Sequence, residues 1–152
     1  MDGVTPKGRL FNDMLAEVFR LRARLLESAE DIAARAGLTS ARWQILGAVE
    51  HAPAPVAQVA RNMGLSRQAV QETADAMERD GLIEFIDNPD HKRARLMVPT
   101  AKARKALDAL RPRQSQFASL MGARHSLEDL QTTLDVLRKA RAMLEMSERT
   151  MA

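Results

Sequence analysis

Residues 65–95 read Leu65-Ser66-Arg67-Gln68-Ala69-Val70-Gln71-Glu72-Thr73-Ala74-Asp75-Ala76-Met77-Glu78-Arg79-Asp80-Gly81, then Leu82-Ile83-Glu84-Phe85-Ile86-Asp87, then Asn88-Pro89-Asp90-His91-Lys92-Arg93-Ala94-Arg95. Ser66 is placed to cap a helix, because the first turn leaves backbone N–H groups without acceptors. Gly81 suits the left-handed residue that ends one. Between them Val70, Thr73, Ala74 and Met77 repeat at three- and four-residue spacing, which predicts one buried face. Arg67, Gln68, Gln71, Glu72, Asp75 and Arg79 make up the opposite face. Two short apolar runs follow, 82–86 and 94–98, separated by a polar stretch containing Pro89. That pattern predicts a hairpin.

Working outward toward the N-terminus, Val56 to Met63 reads as a short helix with Val59, Ala60 and Met63 inward. Gly64-Leu65-Ser66 then makes a tight corner, with Gly64 turning, Leu65 entering the core and Ser66 capping the next helix. Thr39 or Ser40 caps a helix carrying Trp43, Ile45, Leu46 and Val49. It fails at Ala52-Pro53-Ala54-Pro55, where prolines remove donors and fix φ. Leu10, Phe11, Met14, Leu15, Val18, Leu21, Leu25, Ala29 and Ile32 keep helical spacing and predict a long first helix over 10–36, stopped by Gly37. Residues 1–8, with Gly3, Pro6 and Gly8, are expected to be loose.

Toward the C-terminus, Thr100 is positioned to cap a fifth helix, Pro112 is expected to kink or break it, and Gly122 to end it. Ser126 starts a last helix, with Asp129 three residues on as in a capping box. Leu127, Leu130, Leu134, Leu137 and Leu144 follow a three-four alternation, interrupted by Arg141. Leucine at this spacing packs helix against helix, in a bundle within the chain or across a dimer. The dimer is favoured, because this helix and the long first one flank the central unit from both ends of the chain. The fold class is therefore mainly α with a small β-hairpin wing: a winged helix-turn-helix lobe between long terminal helices.

Of 152 residues, 45% are apolar, enough for a core, and only 3% aromatic, so the core is Leu, Ala, Val, Ile and Met. No run of 18 apolar residues exists and the N-terminus lacks an apolar signal segment, so a soluble, cytoplasmic protein is expected. Cysteine is absent, which removes disulfides, thiolate metal sites and thiol redox sensing. His51, His91 and His125 lie far apart and suggest no zinc site. Nucleophile motifs, Gly-rich phosphate loops and His-Glu-x-x-His are missing, so neither enzymatic activity nor a cofactor or metal is expected. Net charge is +3, yet residues 92–113 hold eight cations against Asp108 alone. Such a run attracts a polyanion, although a solvated helix face could carry it too.

The polar face supplies the candidate reading groups. Arg67 can grip guanine O6 and N7 with two donors, and Gln68 and Gln71 can pair with adenine N6 and N7. Ser66 sits at a helix N-terminus, where phosphate is favoured. On the hairpin, Arg93 suits a narrow A·T minor groove, while Lys92 and Arg95 suit phosphate. A polar helix face beside a basic hairpin favours DNA contact over plain solvation. Glu72 and Asp75 would be repelled by phosphate, so they either accept from cytosine N4 or point away.

Taken together, Val59-Ala60-Arg61-Asn62-Met63-Gly64-Leu65-Ser66-Arg67-Gln68-Ala69-Val70, Met77-Glu78-Arg79-Asp80-Gly81-Leu82-Ile83 and Asn88-Pro89-Asp90-His91-Lys92-Arg93-Ala94-Arg95-Leu96, closing on Thr100, resemble the MarR family of bacterial transcription regulators. The resemblance runs from about Leu10 to Leu144. Where that family's wing often reads Asp-x-Arg, the Asp position here is His91 and the Arg falls on Arg93; the usual Leu before the fifth helix is Pro99. The resemblance implies a single MarR-type domain over 1–152, with a DNA-binding lobe at about 39–100 and dimerisation helices at about 10–36 and 101–148. It implies a homodimer on double-stranded, pseudo-palindromic operator DNA. It also implies repression relieved by a small aromatic or anionic ligand, bound between the dimerisation helices and the lobe. Trp43 could line that site, or could simply be the large aromatic of the core. Two other classes are an architectural DNA-binding protein of low specificity and a helical protein–protein adaptor.

Overall fold

The computed structural model describes residues 3–151, with side chains to residue 147. In chain order the elements are α1 (Pro6–Ala34), α2 (Ser40–Val49), β1 (Ala54–Pro55), α3 (Val56–Met63), α4 (Arg67–Arg79), β2 (Ile83–Ile86), β3 (Leu96–Pro99), α5 (Ala101–Gly122) and α6 (Leu127–Met151). Residues up to Pro112 form one compact unit and those from Arg113 a second. Among the described residues, no helix is long and apolar enough to cross a membrane.

The first helix starts earlier than its apolar repeat does. Thr5 Oγ1 accepts from the Gly8 N–H at 3.1 Å, and Pro6 takes the first helical position. A proline there has φ already set and gives up only an N–H that had no partner in the helix. Pro6 thus begins α1 instead of loosening the segment. At the other end α1 stops at Ala34, and the Leu38 N–H closes back on the Ala33 carbonyl at 3.1 Å. Of α1 only Ala33 is buried; Leu10, Phe11, Phe19, Leu21 and Leu25 are exposed.

Thr39, not Ser40, caps α2, its hydroxyl accepting from the Arg42 N–H at 3.2 Å. The Ser40 N–H donates instead to Glu30 Oε2 at 2.9 Å, tying α1 to the start of α2. The Ser40 hydroxyl and then its N–H hold the Glu30 carboxyl below the ordinary value of 4.5. The prolines that end α2 do not leave a plain loop: Ala54–Pro55 pairs with β3 as the outer strand, where a missing N–H is tolerated.

Helix α3 ends in a Schellman turn at Gly64, φ +64°, with the Leu65 N–H on the Ala60 carbonyl and the Gly64 N–H on Arg61. Leu65 was expected in the core, but it is 38% exposed. The corner is made by backbone hydrogen bonds and does not need its side chain buried. Ser66 Oγ then accepts from the Ala69 N–H at 3.0 Å and starts α4. Val70, Ala74 and Met77 are buried, while Thr73 is half-buried and donates to the Ala69 carbonyl. Gly81, φ +71°, closes α4 with a second Schellman turn, the Leu82 N–H reaching the Met77 carbonyl at 2.8 Å.

The sheet order is β1-β3-β2, all antiparallel, with Phe85 opposite Met97 and Ile83 opposite Pro99. Ile83, Met97 and Pro99 are buried on the face that meets the helices. Ile83 and Met97 join Ile45, Leu46, Val59, Met77 and Leu110 in a single core. Thr100 joins this lobe to α5. Its N–H donates to the Leu82 carbonyl at 3.1 Å, its hydroxyl donates to the Gly81 carbonyl at 2.7 Å, and the same oxygen accepts from the Ala103 N–H at 3.2 Å. Helix α5 continues through Pro112 to Gly122, so the proline does not break it; the boundary between the two compact units falls there instead. Ser126 Oγ caps α6 through the Asp129 N–H at 3.0 Å. Leu127, Leu130, Leu134 and Leu144 are exposed along that helix and Leu137 is half-buried.

Two outcomes test this construction. Thr100→Val keeps the shape but removes both the cap and the bond to Gly81, and should lower the unfolding free energy by about 1–2 kcal/mol; urea denaturation reads it, and an unchanged midpoint would show that the clasp contributes nothing. Glu30 has a folded value below its unfolded one. The stability it adds is therefore present above the ordinary 4.5 and is lost as pH falls through the lowered value. Glu30→Gln should lose less stability across that acid window than the parent protein, measured as denaturation midpoint against pH.

Candidate nucleic-acid interface

Helix α4 and the β2–β3 hairpin, placed side by side by the turn at Gly81, form the candidate reading surface. Ser66, Arg67 and Gln68 are exposed on the first turn, and Gln71 is half-buried one turn on. A cleft of about 170 Å³ separates α4 and the start of α3 from the hairpin. Arg67, Gln71, Asp75, Phe85, Arg93 and Arg95 line it. The structure thus brings Arg67, Gln71, Arg93 and Arg95 of the expected set together. Ser66, Gln68 and Lys92 lie outside the cleft lining.

The two glutamines are not free. Gln68 Nε2 donates to Glu72 Oε1 at 3.1 Å and Gln71 Nε2 to Asp75 Oδ1 at 2.7 Å. Glu72 and Asp75 are thereby placed as partners of the two amides. On the hairpin, Arg95 is fixed at the base: Nη2 donates to the Phe85 carbonyl at 2.8 Å and the guanidinium lies 5.2 Å from the Phe85 ring centroid. A cation over a ring at an exposed site adds about 0.5–1 kcal/mol. Lys92 and Arg93 are exposed, and among the described residues neither forms an ion pair or a side-chain hydrogen bond.

Asn88 organises the hairpin tip, and sequence reasoning did not single it out. Its Oδ1 accepts from the Asp90 N–H at 3.0 Å, and its Nδ2 donates to the Ala94 carbonyl at 2.9 Å. The Asn-Pro-Asp run is the available signal, since Asn readily bonds the backbone two residues on. His91 holds the tip only through backbone, its N–H on the Asn88 carbonyl and its carbonyl accepting from Ala94.

The basic run of 92–113 divides by role. Lys92, Arg93 and Arg95 belong to the hairpin, whereas Lys102 Nζ donates to the Asp80 carbonyl at 2.8 Å and Arg104 reaches the Glu50 carbonyl at 3.5 Å. Arg111 pairs with Glu50 and, through Nε at 3.0 Å, with Asp108. These cations fasten α5 to the lobe. Trp43 packs against the core, half-buried. Its neighbour Arg42 pairs with Asp80 at 2.7 Å and lines a second, open cleft of about 520 Å³ with Leu38, Leu82, Lys102 and Lys105.

A model of the MarR family matches residues 36–94, from just after α1 through β2 to the hairpin tip. An uncharacterized protein of Mycobacterium tuberculosis is 38% identical over 126 residues, 83% of this chain and 88% of that one. The chain belongs to the MarR family. The fold agrees over most of the chain with a MarR family transcriptional regulator from Silicibacter pomeroyi, at a TM-score of 0.77 and 20% identity, covering 90% of this chain and 91% of that one. It is similar as well to the M. tuberculosis regulator MosR, solved in complex with DNA, at a TM-score of 0.68 and 19% identity over 86% of this chain and 96% of that one. CouR from Rhodococcus jostii, solved bound to p-coumaroyl-CoA, gives a TM-score of 0.75 and 19% identity over 86% of this chain and 93% of that one. In this MarR family chain, α3 and α4 are the helix-turn-helix and the β2–β3 hairpin is the wing, the architecture of a DNA-binding transcription regulator.

Proposed function

We propose that the protein is a dimeric, sequence-specific repressor whose grip on operator DNA is relieved by a small aromatic or anionic ligand. The observation that carries this reading is the common cleft: Arg67 and Gln71 of the recognition helix face the same space as Arg93 and Arg95 of the wing. Reading groups and groove-seeking cations on one surface are what a major-groove helix with a flanking wing requires. Arg67, Gln68 and Gln71 read base edges. Ser66, Lys92 and Arg95 hold phosphate, and Arg93 enters the narrow groove. An architectural binder would gain nothing from Glu72 and Asp75 on that face, since both repel phosphate. The family likeness and the DNA complex of the similar MosR support the same reading.

Dimerisation is supported by the two long helices. Each displays large apolar residues to solvent in the single chain: Leu10, Phe19 and Leu21 on α1, Leu127, Leu134 and Leu144 on α6. Exposed apolar stripes of this extent mark surfaces that become covered. For the ligand, the second cleft offers Arg42, Lys102 and Lys105 beside Leu38 and Leu82, cations and apolar walls together, one residue from Trp43. The aromatic, anionic ligand of the similar CouR is chemistry of that kind.

Sedimentation of the purified protein should give twice 16.9 kDa, and a footprint should show an inverted repeat with half-sites about 10 bp apart. Titrated against operator and random duplexes at several salt concentrations, Lys92→Ala should weaken both and flatten the slope of log K against log salt by about 0.9. Gln68→Ala should cost about 1–3 kcal/mol on the operator and leave random DNA nearly unchanged. Parallel losses with equal slope changes would sink the division between reading and holding. For the effector, Trp43 fluorescence should respond to salicylate, and operator DNA should weaken salicylate binding by about 1–3 kcal/mol of coupling. Equal salicylate affinity with and without operator would refute relief by this ligand class.

A further inference from the structure

Two amide–carboxylate pairs repeat along α4, Gln68 with Glu72 and Gln71 with Asp75, each at the four-residue spacing where helical side chains meet. A carboxylate only accepts, so the amide nitrogen must face it and the amide oxygen must face elsewhere. The nitrogen carries two hydrogens. When the one on the stem side goes to the carboxylate, the other lies on the same edge as the oxygen. That edge, one acceptor beside one donor, is the edge adenine N6 and N7 require. Without the carboxylate, the terminal torsion of glutamine is broad and roughly two-fold, and the edge can present itself reversed.

From this geometry we infer that Glu72 and Asp75 are positioning residues, which lock Gln68 and Gln71 in the orientation that reads adenine. Asp75 is the clearer case. It lines the cleft with Arg67, Arg93 and Arg95, yet among the described residues it forms no ion pair and bonds Gln71 instead. The two carboxylates act a second way as well: they repel phosphate, so random DNA is bound less well than the cations alone would allow.

The inference rests on the DNA-reading role proposed above, and the test separates the two. Full-length parent protein, Asp75→Ala, Asp75→Asn and Gln71→Ala are titrated against a fragment selected from random DNA by the parent and against a scrambled duplex. Removing charge should raise scrambled-DNA affinity in both Asp75 variants alike. Asp75→Ala should lower the selected-to-scrambled ratio about three- to tenfold, the cost of re-immobilising one long side chain. The loss should fall at the base pair that Gln71→Ala also relaxes. Asp75→Asn offers Gln71 a donor as well as an acceptor, so its preference there should fall between that of the parent and that of Asp75→Ala. Glu72→Ala, at an exposed position that cannot endanger folding, gives the same comparison for Gln68.

If Asp75→Ala and Asp75→Asn raise both affinities together and leave the ratio intact, the carboxylate merely repels phosphate and the inference is overturned. Relaxation at a cytosine in place of an adenine overturns it in favour of direct reading by Asp75. A parent protein that binds selected and scrambled DNA equally removes the reading role itself, and the positioning role falls with it.

Discussion

The C-terminal end of α4 is where the lobe is held together. Gly81 turns the chain through a backbone conformation other residues avoid. Around it, Leu82 bonds back to Met77, Thr100 bonds Gly81 and Leu82, Lys102 bonds Asp80, and Arg42 pairs with Asp80. Five elements, α2, α4, β2, β3 and α5, are thereby referred to one point. The angle between recognition helix and wing is set there, and with it the width of the cleft that Arg67 and Arg93 share. The bonds are short-range and mostly to backbone, so the node survives wide change in side chains elsewhere.

Helix ends were the most legible part of this chain. Ser66, Thr100 and Ser126 cap as their chemistry dictates, and Gly64 and Gly81 adopt the left-handed turn expected of them. A capping hydroxyl acts on residues two or three away, and local sequence contains all of that information. Residues whose meaning depends on distant partners were misread. Pro6 looked like a loop residue because its cap, Thr5, lies outside the apolar repeat. Ala54–Pro55 became a strand only because β3 lies beside it. Leu65 is apolar and adjacent to the core in sequence, but the turn it sits in is complete without its side chain.

The candidate site was legible in composition and less so in direction. Arg67, Gln71, Arg93 and Arg95 do meet, as the order of helix and hairpin implied. The cation run from Lys92 to Arg113 did not announce that Lys102, Arg104 and Arg111 bond inward, since charge in sequence carries no orientation. The i, i+4 spacing of glutamine and carboxylate was visible in the sequence. What the spacing could not show is that the carboxylates turn along the helix to the amides in preference to the arginines nearby.

The Asn88 amide that shapes the wing is uncharged, and so are the backbone groups it bonds. No proton need be gained or lost for those bonds to persist. One tie at the junction of α1 and α2, by contrast, uses the Glu30 carboxylate, which accepts from Ser40. Acidification therefore acts on this molecule unevenly. It weakens the tie at Glu30 while leaving the Asn88 bonds of the hairpin tip intact. A tie through a carboxylate answers to pH, and a tie through an amide does not.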